Sequence, residues 1–319
     1  MKVLRGLPER PVFRQGTVVA IGNFDGLHLG HQKILKALVS KARKMGLPSV
    51  VLTFSPHPER VLEGARVGMI QTLEQRLGGI RAAGPDAALI AAFNRSFASL
   101  TAAEFAERVI ASSLRAKTVV VGENFRFGKS REGDVSDLRR LGRRLGFAVV
   151  PVPSALKNGR VVSSSLIRRL LHEGRIAAAN ALLGRPYEII GRVERGSGRG
   201  RELGFPTANV QPLNEILPEG VFITAADVQD RSYPSLTNIG RRPTFGAGRL
   251  QVEVHLLGFR GPLYRRRLIL RFLRKIRDEK RFDEPEGLVR QVQKDVRTAR
   301  AFFRRERSGF AGLPGAADG

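Results

Sequence analysis

The sequence predicts two domains in series: an α/β domain on a parallel sheet, then a small antiparallel β-barrel with a C-terminal helix. Three observations carry this expectation. Through the first half, apolar runs of strand length alternate with amphipathic stretches of helix length. Near residues 184–187 that alternation stops, and strand-like runs then follow one another with Gly and Pro between them. The last periodic segment, 286–304, sets Leu288, Val292, Val296 and Ala299 along one stripe.

Each half of the 319-residue chain is long enough for its own core, and 42% apolar content marks a globular protein. The lack of cysteine excludes a disulfide framework and a Cys-ligated zinc site. Residues 1–14 carry charges and prolines, and no stretch reaches membrane-spanning length. The expectation is a cytoplasmic protein without a membrane partner. Fifty-five basic against 29 acidic residues give +26, which attracts polyanions. The excess is mostly scattered arginine, with clusters at Arg265-Arg266-Arg267 and Arg304-Arg305. Aromatics are 7% and form no repeated basic-aromatic pattern for stacking bases. Solvated arginine-rich helix faces are the simpler reading, so no nucleic acid is expected; the sequence sets no oligomeric state.

Strand-like runs fall at 18–21, 50–54, 88–92, 118–121 and 148–152, with helix-like stretches at 31–45, 72–83, 102–114 and 134–145. Two short helices, 165–173 and 177–183, end the first pattern. Strands are then expected at 188–193, 221–228, 250–257 and 268–273, punctuated at 196–204 and at Pro206, Pro218, Pro234 and Pro243. The expected division is 1–185, 186–308 and a tail, 309–319.

The run Ile21-Gly22-Asn23-Phe24-Asp25-Gly26-Leu27-His28-Leu29-Gly30-His31-Gln32 links a buried strand to a helix. His28 and His31 share one face of the first helical turn, beside unpaired N–H groups and the positive end of the dipole. That makes either a ready anion site, with Gly30 removing a side chain where a phosphate would approach, or a pair of ordinary polar residues capping a surface helix. Strand, glycine turn and His-x-Gly-His point to a nucleotide enzyme. In Thr53-Phe54-Ser55-Pro56-His57-Pro58 the chain leaves another strand and turns, so His57 is either a surface loop residue or, beside the His-x-Gly-His site, a phosphate neighbour. Gly122-Glu123-Asn124-Phe125-Arg126-Phe127-Gly128 suits a flat, partly apolar ligand, or else a turn with two core phenylalanines. Ser163-Ser164-Ser165-Leu166-Ile167-Arg168 starts a helix with three hydroxyls, which also reads as capping.

In the second domain four glycines, at 196, 198, 200 and 204, precede Pro206-Thr207-Ala208-Asn209. Such a loop either approaches phosphates closely or simply connects two strands. Alternation in Leu250-Gln251-Val252-Glu253-Val254-His255-Leu256 puts Glu253 and His255 on one strand face.

The long form Gly22-Asn23-Phe24-Asp25-Gly26-x-His28-x-Gly30-His31-Gln32 resembles the bacterial bifunctional riboflavin kinase/FMN adenylyltransferase (FAD synthetase) family, within the superfamily marked by His-x-Gly-His. Pro206-Thr207-Ala208-Asn209 matches riboflavin kinases, and Asn238-Ile239-Gly240-Arg241-Arg242-Pro243-Thr244-Phe245 and Ile276-Arg277-Asp278-Glu279-Lys280-Arg281-Phe282 also fit. The match runs in order from about Thr17 to Phe303.

The resemblance implies a Rossmann-like nucleotidyltransferase domain followed by a riboflavin-kinase-like barrel. It implies substrates riboflavin, FMN and ATP, with Mg²⁺. His28 and His31 would contact the triphosphate and Arg168 the leaving pyrophosphate, within a nucleotide site of Gly22, Asn23, Phe24, Asp25, Gly30, Phe54, His57, Ser164 and Ser165. Asn124 and Phe125 would hold flavin nucleotide or ATP. Gly198 and Gly200 would line the kinase phosphates, Thr207 and Asn209 would give oxygens to Mg²⁺, and Glu253 would be the general base. Arg277 gets a flavin-side or loop role. Two residues depart from the family's usual form: Ser55 replaces an acidic residue and Ser165 a threonine. The competing readings are a protein with one decayed module, another His-x-Gly-His adenylyltransferase acting on pantetheine phosphate or a nicotinamide nucleotide, and a basic nucleic-acid-binding protein. The second leaves Pro206–Asn209 unexplained.

Overall fold

The computed structural model describes residues 1–8, 13–62, 67–196, 200, 204–229, 231–241, 250–280, 282 and 284–306. The chain divides into two compact units, Met1–Ser164 and Ser165–Gly319.

The first unit opens with β1 (Lys2–Arg5), β2 (Thr17–Ile21), α1 (Leu29–Met45), β3 (Ser49–Ser55), α2 (Pro58–Leu62) and α3 (Leu73–Ala82). Then come β4 (Ala87–Ala92), α4 (Arg95–Ala98), α5 (Ala102–Glu104), β5 (Ala116–Gly122), α6 (Val135–Leu145) and β6 (Ala148–Val152). A small hairpin, β7 (Leu156–Lys157) with β8 (Arg160–Val161), ends it. The main sheet has order β1-β4-β3-β2-β5-β6, and every pairing is parallel. Its central strands are buried on both faces, which is why they read as unbroken apolar runs. From β2 the chain steps to β3 and β4 on one side and to β5 and β6 on the other. The order therefore reverses between β2 and β5, the switch point where such sheets bind ligands.

Helix starts follow capping chemistry. Thr72 with Gln75, and Asp134 with Asp137, form reciprocal capping boxes on α3 and α6. The stretch expected as one helix over 102–114 is α only to Glu104 and continues as a π-helix, Phe105–Ser113. The extra residue per turn still buries Phe105, Ala106, Val109 and Ile110. β1, unexpected from the sequence, is a mostly exposed four-residue edge strand paired with β4.

The second unit holds α7 (Ser164–His172, from Ser165 onward), α8 (Ile176–Leu183), six strands and α9 (Pro285–Arg305). The strands are β9 (Tyr187–Glu194), β10 (Ala208–Pro212), β11 (Gly220–Val228), β12 (Arg231–Arg241), β13 (Leu250–Leu256) and β14 (Arg267–Arg277). They close into an antiparallel barrel in the order β10-β13-β12-β11-β14-β9. The two helices expected to end the first pattern fall in this unit, and Asn180 on α8 donates to Phe272 O (2.8 Å) and accepts from Tyr187 N (2.7 Å). Pro234, expected as punctuation, lies inside β12 opposite Ala225. Inside the barrel the Thr224 hydroxyl meets those of Ser235 (2.8 Å) and Thr237 (2.7 Å), all fully buried. α9 lays Ala299 and Phe303 over Ile223, Leu236 and Leu257 on the outer face.

Candidate active sites

The loop after β2 bends through left-handed conformations at Phe24, Gly26 and Leu27 before α1 begins. Phe24 turns inward, fully buried, with its ring 3.3 Å from where a Cβ on Gly22 would stand. His28 is the N-cap of α1: its Nδ1 accepts from Gly30 N (3.1 Å) and His31 N (3.4 Å). The helix start is thus closed by an imidazole, the capping role that the sequence offered beside anion binding. Gly30 has a steric reason of its own at this position. A Cβ there would lie 3.0 Å from His28 Cε1, so the glycine makes room for the capping ring. With Nδ1 accepting, neutral His28 carries its proton on Nε2.

The His28 and His31 rings stack with centroids 3.7 Å apart, and Phe24 meets His31 edge-on at 5.3 Å. His31 Nδ1 is buried with no hydrogen-bond partner. Burial, and then the neighbouring His28, hold His31 well below the usual imidazole pKa. It is a neutral ring with hydrogen-bonding capacity to spare.

Asn23 and His57 join the ends of β2 and β3, the amide nitrogen standing 3.0 Å from His57 Nε2. Asp25 is 2% exposed and spends its carboxylate on the backbone, accepting from Ile70 N and Gln71 N at 3.2 Å. Ser164 Oγ donates to Asp25 O (2.9 Å). Arg76 was not legible from the sequence. It is 6% exposed and clamps both strand ends, donating to Asn23 O (2.8 Å) and Phe54 O (3.0 Å). Burial lowers its guanidinium from the ordinary value, and nearby Asp25 opposes that shift. A lone arginine in an ordinary helix gives no sign of this role.

After β5, Asn124 lies exposed and donates to Ser154 Oγ (3.3 Å). Phe125 and Phe127 stack at 5.6 Å; Phe127 is core, and Phe125 packs against it half-exposed. The rings continue through Phe105, Phe97 and Phe93 to Phe54. Ser165 and Arg168 belong to the second unit.

On the barrel, register sets the second site. Asn209 faces Glu253 on β13, which faces Asn238 on β12; the row runs on through Val221 to Arg277. These are the residues opposite to the inward set Ala208, Val210, Val252 and Val254, so the row lies outside the barrel. Asn238 Oδ1 is buried without a partner beside it. Glycines crowd the row's near end: Gly196 abuts the Asn209 amide, and a Cβ on Gly200 would fall 2.8 Å from Thr207 Oγ1. His255 Nδ1 is 2.8 Å from Pro206 O. Arg277, at the far end, is committed to α9. Its Nε and Nη2 donate to Asp295 Oδ2 at 3.0 and 2.8 Å, and Gln291 takes Oδ1 at 2.9 Å. Gly198, Arg242–Phe245 and Arg281 lie outside the described residues.

A doubly wound parallel sheet with His-x-Gly-His at its switch point, joined to a closed barrel bearing Thr, Asn and Glu beside a glycine loop, defines a two-module nucleotide-dependent transferase. Residues 11–166 match the FAD synthetase family model and residues 183–303 the riboflavin kinase model. The chain is 40% identical over 303 residues to the bifunctional riboflavin kinase/FMN adenylyltransferase of Pseudomonas fluorescens, covering 94% of this chain and 97% of that one. It is 38% identical to the enzyme of the same name from Escherichia coli K12, covering 95% and 98%. The chain belongs to the bifunctional riboflavin kinase/FMN adenylyltransferase family. A solved Streptococcus pneumoniae chain called a macrolide-efflux protein superposes with a TM-score of 0.87 at 29% identity, over 94% of this chain and 99% of that one. Among the described residues no helix is long and apolar enough to cross a membrane.

Proposed function

We propose that the second unit phosphorylates riboflavin with ATP, and that the first unit adenylylates the resulting FMN to FAD with release of pyrophosphate. The observation that carries this reading is the order of the two family matches on two separately built units.

In the kinase unit Glu253 accepts the proton of the riboflavin 5′-hydroxyl as that oxygen attacks the γ-phosphorus of ATP, the bond from that phosphorus to the β,γ-bridging oxygen breaks and ADP leaves. The Thr207 hydroxyl and Asn209 carboxamide are hard oxygen donors beside glycine-cleared space, which fits Mg²⁺. Among the described residues no cluster of three or more His, Cys, Asp or Glu forms a metal cage. That donor set suits a cation held mainly by phosphate and water. When bound, Mg²⁺ supplies neutralisation of phosphate charge; Thr207 and Asn209 orient the nucleotide against Glu253.

In the adenylyltransferase unit there is no covalent nucleophile to find: an FMN phosphate oxygen attacks the α-phosphorus of ATP directly. Catalysis is positioning plus stabilisation of developing negative charge. His28, its tautomer set by the helix cap, offers Nε2–H to the triphosphate, and His31 adds a second donor. The half-exposed Phe93, Phe97 and Phe125 give the flavin ring an apolar surface. For Ser165 and Arg168 the support is the motif at the start of α7. Cytoplasmic location follows from the reading as a flavin-cofactor enzyme.

Chromatography of flavins after incubation with riboflavin, ATP and Mg²⁺ tests the assignment. Wild type makes FMN and then FAD. Glu253→Ala leaves riboflavin unphosphorylated yet converts supplied FMN, and His28→Ala/His31→Ala stalls at FMN. Loss of both steps in either variant contradicts one activity per unit.

A further inference from the structure

Thr207 and Asn209 must be held in fixed register with Glu253 if all three serve one phosphoryl transfer. The β-ladder does only part of this. β10 pairs with β13 from Ala208, opposite Val254, to Val210, opposite Val252, so Thr207 has already left the ladder. The next residue of β13 in that direction is His255, on the same strand face as Glu253. Its side chain does what the backbone there does not. His255 Nδ1 lies 2.8 Å from the carbonyl oxygen of Pro206, the residue before Thr207, and its ring meets Phe205 edge-on at 5.9 Å. A carbonyl oxygen only accepts, so Nδ1 carries the hydrogen and donates it.

We propose that His255 is a positioning residue of the kinase site: its Nδ1–H to Pro206 O extends the β10–β13 ladder by one side-chain rung and fixes the Thr207 hydroxyl beside Glu253. This rests on the reading of Thr207, Asn209 and Glu253 as the kinase site. Neutral imidazole with hydrogen on Nδ1 and imidazolium both make the bond, so the role needs a donor at one place and no change of protonation. His255 acts through Thr207 and touches neither reacting atom.

Steady-state riboflavin phosphorylation by the full chain tests this with His255→Asn, His255→Gln, His255→Leu and Glu253→Gln. Asparagine places an N–H donor near the position of Nδ1, whereas glutamine carries its amide out towards Nε2. The expected result is His255→Asn within about threefold of wild type in kcat/KM for MgATP. His255→Gln and His255→Leu should lose roughly 10- to 100-fold, the range seen when a group orienting a metal- or substrate-holding residue is removed. Most of that loss should fall in KM for MgATP, with adenylylation of supplied FMN unchanged in all of them. Rescue by a side chain that does not titrate also excludes an acid–base role. Equal activity of the Asn and Gln variants, or near-wild-type activity of His255→Leu, overturns the proposal. Wild-type phosphorylation by Glu253→Gln overturns the underlying site reading instead, so the two failures are distinguishable.

Discussion

At the scale of single residues, the first site turns on how an imidazole and a glycine share space. Gly30→Ala would be favourable in an exposed helix by propensity alone. Here its Cβ falls 3.0 Å from His28 Cε1 and displaces the cap. The expected outcome is loss of about 1 kcal/mol of stability in the first unit. Adenylylation should fall about a hundredfold from misplacement of the ring, with riboflavin phosphorylation intact. Coupled flavin assays of the variant check this. His31 gives a pH prediction. Its folded pKa is depressed by burial and by His28, so below the free value of about 6.5 the unfolded chain binds the extra proton. The first unit therefore loses stability as pH falls from about 6.5 towards the depressed pKa, and His31→Asn should flatten that acid limb. Hydrogen exchange of the β2 amides at several pH values measures it. The two histidines were legible because their spacing and the preceding strand are local. Arg76 was not, because its two carbonyl partners are 53 and 22 residues away in sequence.

At the scale of elements, Arg277 is the tie between β14 and α9. Asp295 is 3% exposed, so Arg277→Ala leaves a carboxylate buried without its cation, at a cost of about 3–5 kcal/mol. Arg277→Met with Asp295→Leu should recover most of it. The chain has no tryptophan, and its three tyrosines (187, 233 and 264) all lie in the second unit, so tyrosine fluorescence during urea unfolding isolates the effect. A double variant no more stable than the single one would contradict this account. Legibility differed among the strands for a physical reason. β2, β3 and β4 announce themselves because both faces are buried in apolar surroundings. β12 conceals itself, since its inward face carries Ser235 and Thr237, satisfied by Thr224 rather than by apolar packing. Hydrophobic alternation reads such a strand inside out, and Pro234 adds a false stop. In the same way Glu253 was identifiable as one face of a strand. The row joining it to Asn209 and Asn238 exists only once three strands pair.

At the scale of the whole molecule, a net charge of +26 makes a prediction that separates the two substrates. FMN carries a phosphate and riboflavin is neutral, so long-range attraction acts on one flavin alone. At saturating MgATP, raising NaCl from about 0.05 to 0.4 M shortens the screening length several-fold. KM for FMN should then rise while KM for riboflavin stays nearly level; steady-state assays at both salts check it. A KM for FMN as level as that for riboflavin would mean that the excess charge is spread too evenly to steer the anionic flavin.

The closing strand of the barrel has a consequence for how the molecule comes into being. β10 is held by three register pairs to β13 and four to β9, against nine between β11 and β12. It is the lightest seam in the ring, and it carries Asn209. A chain that has assembled the other five strands but not yet zipped this one has most of its β-structure and none of its kinase geometry. The kinase geometry therefore depends on the shortest ladders of the ring, since Asn209 meets Glu253 only through them.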